Sequence, residues 1–125
     1  MNNNTIAILL VEDNEDIRDV VERALKRSGY NVFTAENGLA ALNTLRAGFK
    51  PGVIITDLEM PIMCGREFVR KLKNDEGLNL IPTILFSSHP DAEVIAKELG
   101  VNICLPKFAG TSVIEDAIFN LLKLF

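Results

Sequence analysis

Four short aliphatic runs in this sequence each end on residues able to do ionic chemistry. Ile6 to Val11 leads into Glu12 and Asp13, "VIIT" into Asp57, "TILF" into Ser87 and Ser88, and "NICLP" into Lys107. Singly, each has an ordinary explanation: an acid caps a helix, a serine opens a turn, a lysine stays solvated in a loop. Together they make three acids, a hydroxyl and a cation. Three carboxylates within ~5 Å of one another repel by about 3 kcal/mol per pair at an effective dielectric near 20, enough to raise apparent pKa values by about two units. A hard divalent cation offsets that repulsion. Mg²⁺ suits a site with one or two carboxylates, a backbone carbonyl and retained waters, and leaves a position for a phosphoryl oxygen. One carboxylate can then act as nucleophile toward an activated phosphoryl group and form an aspartyl phosphate. Asp57 is the candidate nucleophile because it stands alone on its strand, whereas the adjacent Glu12 and Asp13 suit the metal. Lys107 would balance one phosphoryl oxygen and the Ser87 hydroxyl would donate to another.

Such a set works only if the fold brings it together, and the pattern of the chain predicts one that does. Ile6 to Val11 is continuously aliphatic, as expected of a strand covered on both faces. Asn14 can cap a helix in which Ile17, Val20, Val21, Ala24 and Leu25 form the i, i+3, i+4, i+7, i+8 stripe, ending at Gly29. The unit recurs: "NVFTA" then "GLAALNTLRAG", "VIITD" then "GREFVRKLK", "TILFS" then "AEVIAKELG", "NICLP" then "SVIEDAIFNLLKLF". Five strands alternating with five helices argue for a doubly wound α/β fold, a parallel sheet with helices on both faces, because parallel neighbours need right-handed helical crossovers. In an open α/β sheet, ligands bind beyond the carboxyl ends of the strands. Glu12, Asp13, Asp57, Ser87 and Lys107 all fall there. In the last helix Val113, Ile114, Ala117, Ile118, Leu121, Leu122, Leu124 and Phe125 share about half of the circumference, leaving Phe119 outside it.

Composition excludes several function classes. A length of 125 residues, 48% hydrophobic and 24% charged, suits one globular domain that needs no staple. The net charge of -4, with no Lys/Arg cluster, argues against direct nucleic-acid binding. Cys64 and Cys104 lie far apart without a CxxC, and His89 has no partner near it in sequence, so a zinc site is not expected. No apolar run is long enough to cross a bilayer and the N-terminus has no basic region, which gives the expectation of a cytoplasmic protein with reduced thiols.

The chain resembles the receiver domain of two-component response regulators. The likeness rests on "ILLVEDNEDIRDVV", "VIITDLEMPIMCGREFVRKLK", "IPTILFSS" and "LPKF", in that order and spacing, and spans essentially the whole sequence. It implies the flavodoxin-like five-stranded sheet of order 2-1-3-4-5. It implies Asp57 as phospho-acceptor, charged from the phosphohistidine of a sensor histidine kinase or histidine phosphotransfer protein, with Mg²⁺ as cofactor. By position, Asp13 resembles the direct metal ligand, Glu12 the acid that reaches the metal through water, and Glu59 the residue whose backbone carbonyl is a further ligand. Ser87, Ser88 and Lys107 match the hydroxyl, small-residue and lysine positions, and Met60, Pro61 and Gly65 the loop after the acceptor. Glu59 and His89 occupy variable positions flanking the phosphoryl group.

The chain departs from the family in four places. Cys64 stands where an aspartate is common. Phe108 follows Lys107 where a proline is usual, and a trans Lys107-Phe108 peptide is expected because a cis bond there costs about 3 kcal/mol. Cys104 replaces the aromatic that reports phosphorylation, so the usual hydroxyl-to-aromatic coupling cannot run in its standard form. The segment from Ser87 to Lys107 is about two residues short, which predicts a truncated fourth helix or an altered loop. If residues 1–125 form a lone receiver with no output domain, the signal passes by binding or the chain is a relay that passes phosphate on, with Cys104 and Phe119 on or near the helix 4, strand 5, helix 5 face, the family's usual partner or dimer surface. Two other readings remain at this level: a receiver-like binding module that no longer switches, and an aspartyl-nucleophile phosphatase using Glu59 as general acid.

Overall fold

Alternating strands and helices are realised throughout the computed structural model, which describes residues 6–101 and 103–124. The strands are β1 (Ala7–Val11), β2 (Asn31–Ala35), β3 (Val53–Thr56), β4 (Thr83–Phe86) and β5 (Ile103–Leu105). The helices are α1 (Glu15–Arg27), α2 (Gly38–Arg46), α3 (Gly65–Lys73), α4 (Ala92–Leu99) and α5 (Thr111–Leu124), with a 3-10 turn at Lys107–Ala109. Every pairing is parallel and the order is β2-β1-β3-β4-β5, as the resemblance implies.

Local chemistry sets the element ends. The Asn14 side chain accepts from the Ile17 N–H at 3.0 Å, acids Glu15 and Asp16 occupy the first turn of α1, and Lys26 and Arg27 its last. That arrangement satisfies an orphan donor and complements the helix dipole. Asn37 caps α2 in the same way, accepting from Ala40 N–H at 2.8 Å. α3 begins at Cys64 with no side-chain cap, the local consequence of a thiol in place of a carboxylate. α4 is only eight residues long and ends at Gly100 in a left-handed conformation.

The side chains of each central strand divide between two faces. Ile8 and Leu10 pack with Val21 and Leu25 of α1 and Ile114, Ile118 and Leu121 of α5. Leu9 and Val11 pack with Ala41, Leu42 and Leu45 of α2 and Phe68, Val69 and Leu72 of α3. Leu85 meets Ala92, Ile95 and Ala96 of α4 on that second side. Each fully buried Leu, Ile or Phe contributes about 1.5–3 kcal/mol relative to exposure, so the central strands are the hardest part of the fold to displace.

Two sequence expectations change. Val20 lies in the predicted apolar stripe yet is 55% exposed, because it borders an open groove between α1 and α5 lined also by Ile17, Phe86 and Ile114. Val113, assigned to the buried arc of the last helix, is exposed in its first turn. Asn102 and Phe125, placed by sequence in the fifth strand and last helix, lie outside the described residues, as does the side chain of Leu124. Register then places the candidate site. Val11 pairs with Ala35 and Thr56, Thr56 with Leu85, and Phe86 with Leu105, so the residues following β1, β3, β4 and β5 emerge along one edge.

Candidate functional site

The strands stop one residue short of the acids they deliver. Glu12 N–H still donates to Ala35 C=O, Asp57 N–H to Val11 C=O and Ser87 N–H to Leu105 C=O, each at 3.0 Å. These main-chain bonds fix the backbone of three site residues to neighbouring strands while their side chains leave the sheet. Glu12, Asp13 and Asp57 each offer a carboxylate oxygen within 4.8 Å of the others. Glu12 and Asp57 are buried and Asp13 is exposed, so the cluster opens to solvent on the Asp13 side.

Lys107 joins the buried pair. Its ammonium lies 2.7 Å from Asp57 Oδ2 and 2.8 Å from Glu12 Oε1. The first contact is an aligned hydrogen bond, whereas the second is an ion pair without that alignment, so Glu12 Oε1 is buried with no hydrogen bond of its own. Glu12 Oε2 accepts from Asn14 N–H at 3.1 Å. Asp57 Oδ1 accepts from Leu58 N–H at 2.6 Å, which leaves the carboxylate held at both oxygens.

Burial pushes the Glu12 pKa up, and the Asp57 charge adds to the rise against the opposing effects of Lys107 and Asn14. Burial alone would lower the Lys107 pKa, but its bonds to Asp57 and Glu12 outweigh that and raise it. The signs give a prediction. A carboxyl whose folded-state value exceeds its unfolded value costs folding free energy once ionised, and the cost vanishes as pH falls below both values. Lys107 works in the opposite window, its contribution being lost only above the ordinary lysine range. In Mg²⁺-free buffer Glu12→Gln is therefore expected to be the more stable protein near pH 7, Lys107 keeping its bond to Asp57. Urea melts at pH 7 and pH 5 check it: the gap between the two proteins should narrow at the lower pH.

Ser87 is buried, and its Oγ accepts from His89 N–H at 3.0 Å; among the described residues no hydrogen bond joins it to the acids. Ser88 is exposed. The Glu59 carboxylate stands outside the acid cluster, 3.7 Å from His89 Nε2. The Lys107-Phe108 peptide is trans and Phe108 is 88% exposed. Beside it a cavity of about 350 Å³ lies between α4 and β5, lined by Ser87, His89, Val94, Cys104, Pro106 and Phe108. It occupies the region next to Cys104, where the sequence lacks a large side chain. Phe119 is half-exposed beneath Lys123, whose ammonium is 4.6 Å from the ring centroid.

Between Asp57 and α3 the loop is pinned at several points: Gly65 N–H to Leu58 C=O at 2.8 Å, Met63 C=O from Gly38 N–H at 3.0 Å, and buried Met60 and Met63. At its apex Met63 N–H donates to Pro61 C=O at 2.7 Å across Ile62, which has φ 70°. That is a γ-turn of the rare positive-φ kind with a β-branched residue at its centre. Ile62 is 78% exposed, so little packing is lost with its side chain. Ile62→Gly is expected to stabilise the protein by about 1 kcal/mol, strain relief exceeding the entropy of the added glycine. A higher urea midpoint at unchanged m-value checks it.

Sequence reasoning did not find the Arg18 guanidinium, which donates to Glu12 C=O at 3.0 Å, nor the Ile62 turn. Neither has a local sequence signal, since both depend on how the chain folds back at the sheet edge.

A doubly wound sheet that gathers three acids, a hydroxyl and a bridging lysine at its carboxyl edge defines the receiver class of signalling domain. The chain belongs to that family: the family model for the response regulator receiver domain matches residues 8–119. Among curated proteins it is similar to chemotaxis protein CheY1 of Helicobacter pylori (strain ATCC 700392 / 26695), 34% identical over 114 residues, covering 89% of this chain and 92% of that one. Among solved structures it is similar to the signal receiver domain of a signal transduction histidine kinase from Syntrophus aciditrophicus, with a TM-score of 0.86 and 31% identity over 94% of this chain and 89% of that one. The Mn²⁺-bound form of response regulator Rcp1 is also similar, with a TM-score of 0.77 and 28% identity over 90% of this chain and 88% of that one.

Proposed function

We propose that Asp57 accepts a phosphoryl group from the phosphohistidine of a sensor histidine kinase or histidine phosphotransfer protein, and that the modification alters binding to a downstream protein. The observation that carries this reading is the convergence of Glu12, Asp13 and Asp57 within 4.8 Å of one another, with Lys107 bridging Glu12 and Asp57. The donor set fits Mg²⁺: it is all-oxygen and open on the Asp13 side. Glu12, Asp13 and Asp57 would hold the ion with the Glu59 backbone carbonyl. When bound, it supplies charge neutralisation for the acids and for the incoming phosphoryl group.

The chain's own groups do the rest. Leu58 N–H and Lys107 fix the Asp57 carboxylate, which removes orientational freedom before the donor arrives. An Asp57 oxygen forms the O–P bond while the donor's P–N bond breaks, its electron pair returning to the imidazole. Lys107 then follows the negative charge from Asp57 Oδ2 onto a phosphoryl oxygen, and Ser87 turns its Oγ–H toward another. Glu59 and His89 stand together at the rim and would govern access of water to the product.

Partner binding is assigned to the face of α4, β5 and α5, where Val94 and half-buried Cys104 line one cavity and on or near which exposed Phe119 would lie, and the same face would serve a homodimer. Among the described residues no helix is long and apolar enough to cross a membrane, and the two free cysteines fit a reducing cytoplasm. Intact mass after incubation with Mg²⁺ and acetyl phosphate tests the reading. One added phosphoryl group is expected, and none when the metal is chelated before the donor is added. No adduct on a folded, Mg²⁺-saturated protein would contradict it, and multiple-turnover hydrolysis of a phosphomonoester would point instead to a phosphatase.

A further inference from the structure

Asp13 is the exposed member of the acid cluster, and no hydrogen bond or ion pair tethers its side chain among the described residues. The direction in which that side chain leaves the chain is set by its backbone, that is, by the two peptide planes on either side of it. The plane after it is held by Asn14 N–H donating to Glu12 Oε2 at 3.1 Å. The plane before it carries the Glu12 carbonyl, which accepts from Arg18 Nη1 at 3.0 Å. One residue earlier, Glu12 N–H is bonded to Ala35 C=O at 3.0 Å. Arg18 is thus the side chain that fixes the 12–13 plane.

Arg18 is well suited to that task. It lies on the second turn of α1, and its own N–H donates to Asn14 C=O at 2.9 Å, so the guanidinium is anchored to the helix that the acid turn leads into. Its side chain is half-buried, and no carboxylate is within 4.0 Å of it among the described residues. The guanidinium therefore holds a carbonyl and forms no ion pair with the acids.

We propose that Arg18 is a positioning residue for the metal pocket: by clamping the Glu12 carbonyl it orients Asp13 for the cation without touching the cation. The inference rests on the reading of Glu12, Asp13 and Asp57 as a Mg²⁺ site. Two accounts of Arg18 predict opposite signs. A positive charge near a cation site opposes cation binding, so if Arg18 acted by charge alone, removing it would tighten Mg²⁺ binding. If it positions Asp13, removing it weakens binding, as loss of a residue that orients a ligand commonly does.

Mg²⁺ titrations followed by amide NMR, at fixed pH and ionic strength, decide between them on the wild type, Arg18→Met and Arg18→Lys. Arg18→Met is expected to bind Mg²⁺ about tenfold more weakly, and Arg18→Lys, which keeps the charge and a donor nitrogen but not the planar fork, to fall between it and the wild type. The Asp13 amide should already be displaced in the metal-free variants. Equal or tighter binding by Arg18→Met overturns the proposal. If Arg18→Met loses its dispersed spectrum, the outcome is read from Arg18→Lys: weaker binding supports positioning and unchanged binding overturns it. A wild type that does not bind Mg²⁺ sinks the pocket reading and this inference together, whereas a wild type that binds with unaffected variants sinks this inference alone.

Discussion

Asp57→Asn is expected to yield a folded protein whose uptake of a phosphoryl group falls below detection. The amide keeps the size of the carboxylate, and its carbonyl oxygen can still accept from Leu58 N–H, the 2.6 Å bond that sets the side chain's orientation. What it loses is the negative charge that makes the oxygen a nucleophile and that holds Lys107 at 2.7 Å. Lys107 retains Glu12 at 2.8 Å, so no buried cation is stranded. Removing one of three clustered acids also relieves the repulsion that helps raise the Glu12 pKa. The variant should therefore be no less stable than its parent in Mg²⁺-free buffer, and should bind Mg²⁺ more weakly. Intact mass after treatment with acetyl phosphate, with urea melts alongside, reads both outcomes. Unaltered uptake by the variant would move the acceptor to another residue.

The largest structural effect is expected at a residue that takes no part in the chemistry. Gly65 starts α3 so close beneath the acceptor that a Cβ built on it would overlap the Asp57 carbonyl oxygen and come within 2.8 Å of Leu58 Cα. Both obstacles are backbone, which cannot rotate aside like a side chain. The Gly65 N–H bond to Leu58 C=O at 2.8 Å depends on that close approach. Gly65→Ala must push α3 away from β3 or distort the acceptor loop, at a cost of about 3 kcal/mol or more. That is a large share of the roughly 5–15 kcal/mol that holds a domain of this size together. A fall in the urea midpoint, and weaker Mg²⁺ binding by whatever remains folded, are the expected results. Wild-type stability would show that the loop relaxes without consequence.

Much of the fold was legible because its signals are local. A strand covered on both faces must be aliphatic throughout, and β1, β3 and β4 read that way; the Asn14 cap and the apolar stripe of α1 mark a helix as plainly. The same stripe misplaced Val20, because periodicity reports which residues share a face and not whether a neighbouring helix covers all of that face. The acids, Ser87 and Lys107 could be assigned to one edge from topology alone, since parallel strands deliver their following residues to the same end of the sheet. Their mutual arrangement could not. That Lys107 bridges Glu12 and Asp57 and that Arg18 reaches the Glu12 carbonyl are consequences of side-chain geometry that leaves no periodic trace, whereas the His89 N–H bond to Ser87 Oγ is the local serine turn that the sequence allows. Ile62 is the clearest case, because β-branched residues avoid positive φ and nothing in "MPIMCG" marks the turn.

The Glu12, Asp13 and Asp57 cluster is proposed to bind Mg²⁺, and Asp57, Ser87 and Lys107 jointly to hold a phosphoryl group. Amide spectra of the intact protein with Mg²⁺ alone, and with Mg²⁺ plus the phosphoryl mimic beryllofluoride, test it most directly. Mg²⁺ should shift Asp13, Asp57 and Glu59, and the mimic should add shifts at Ser87, Lys107 and the loop through Gly65, saturating at one equivalent. A dispersed spectrum that ignores both additions would contradict it.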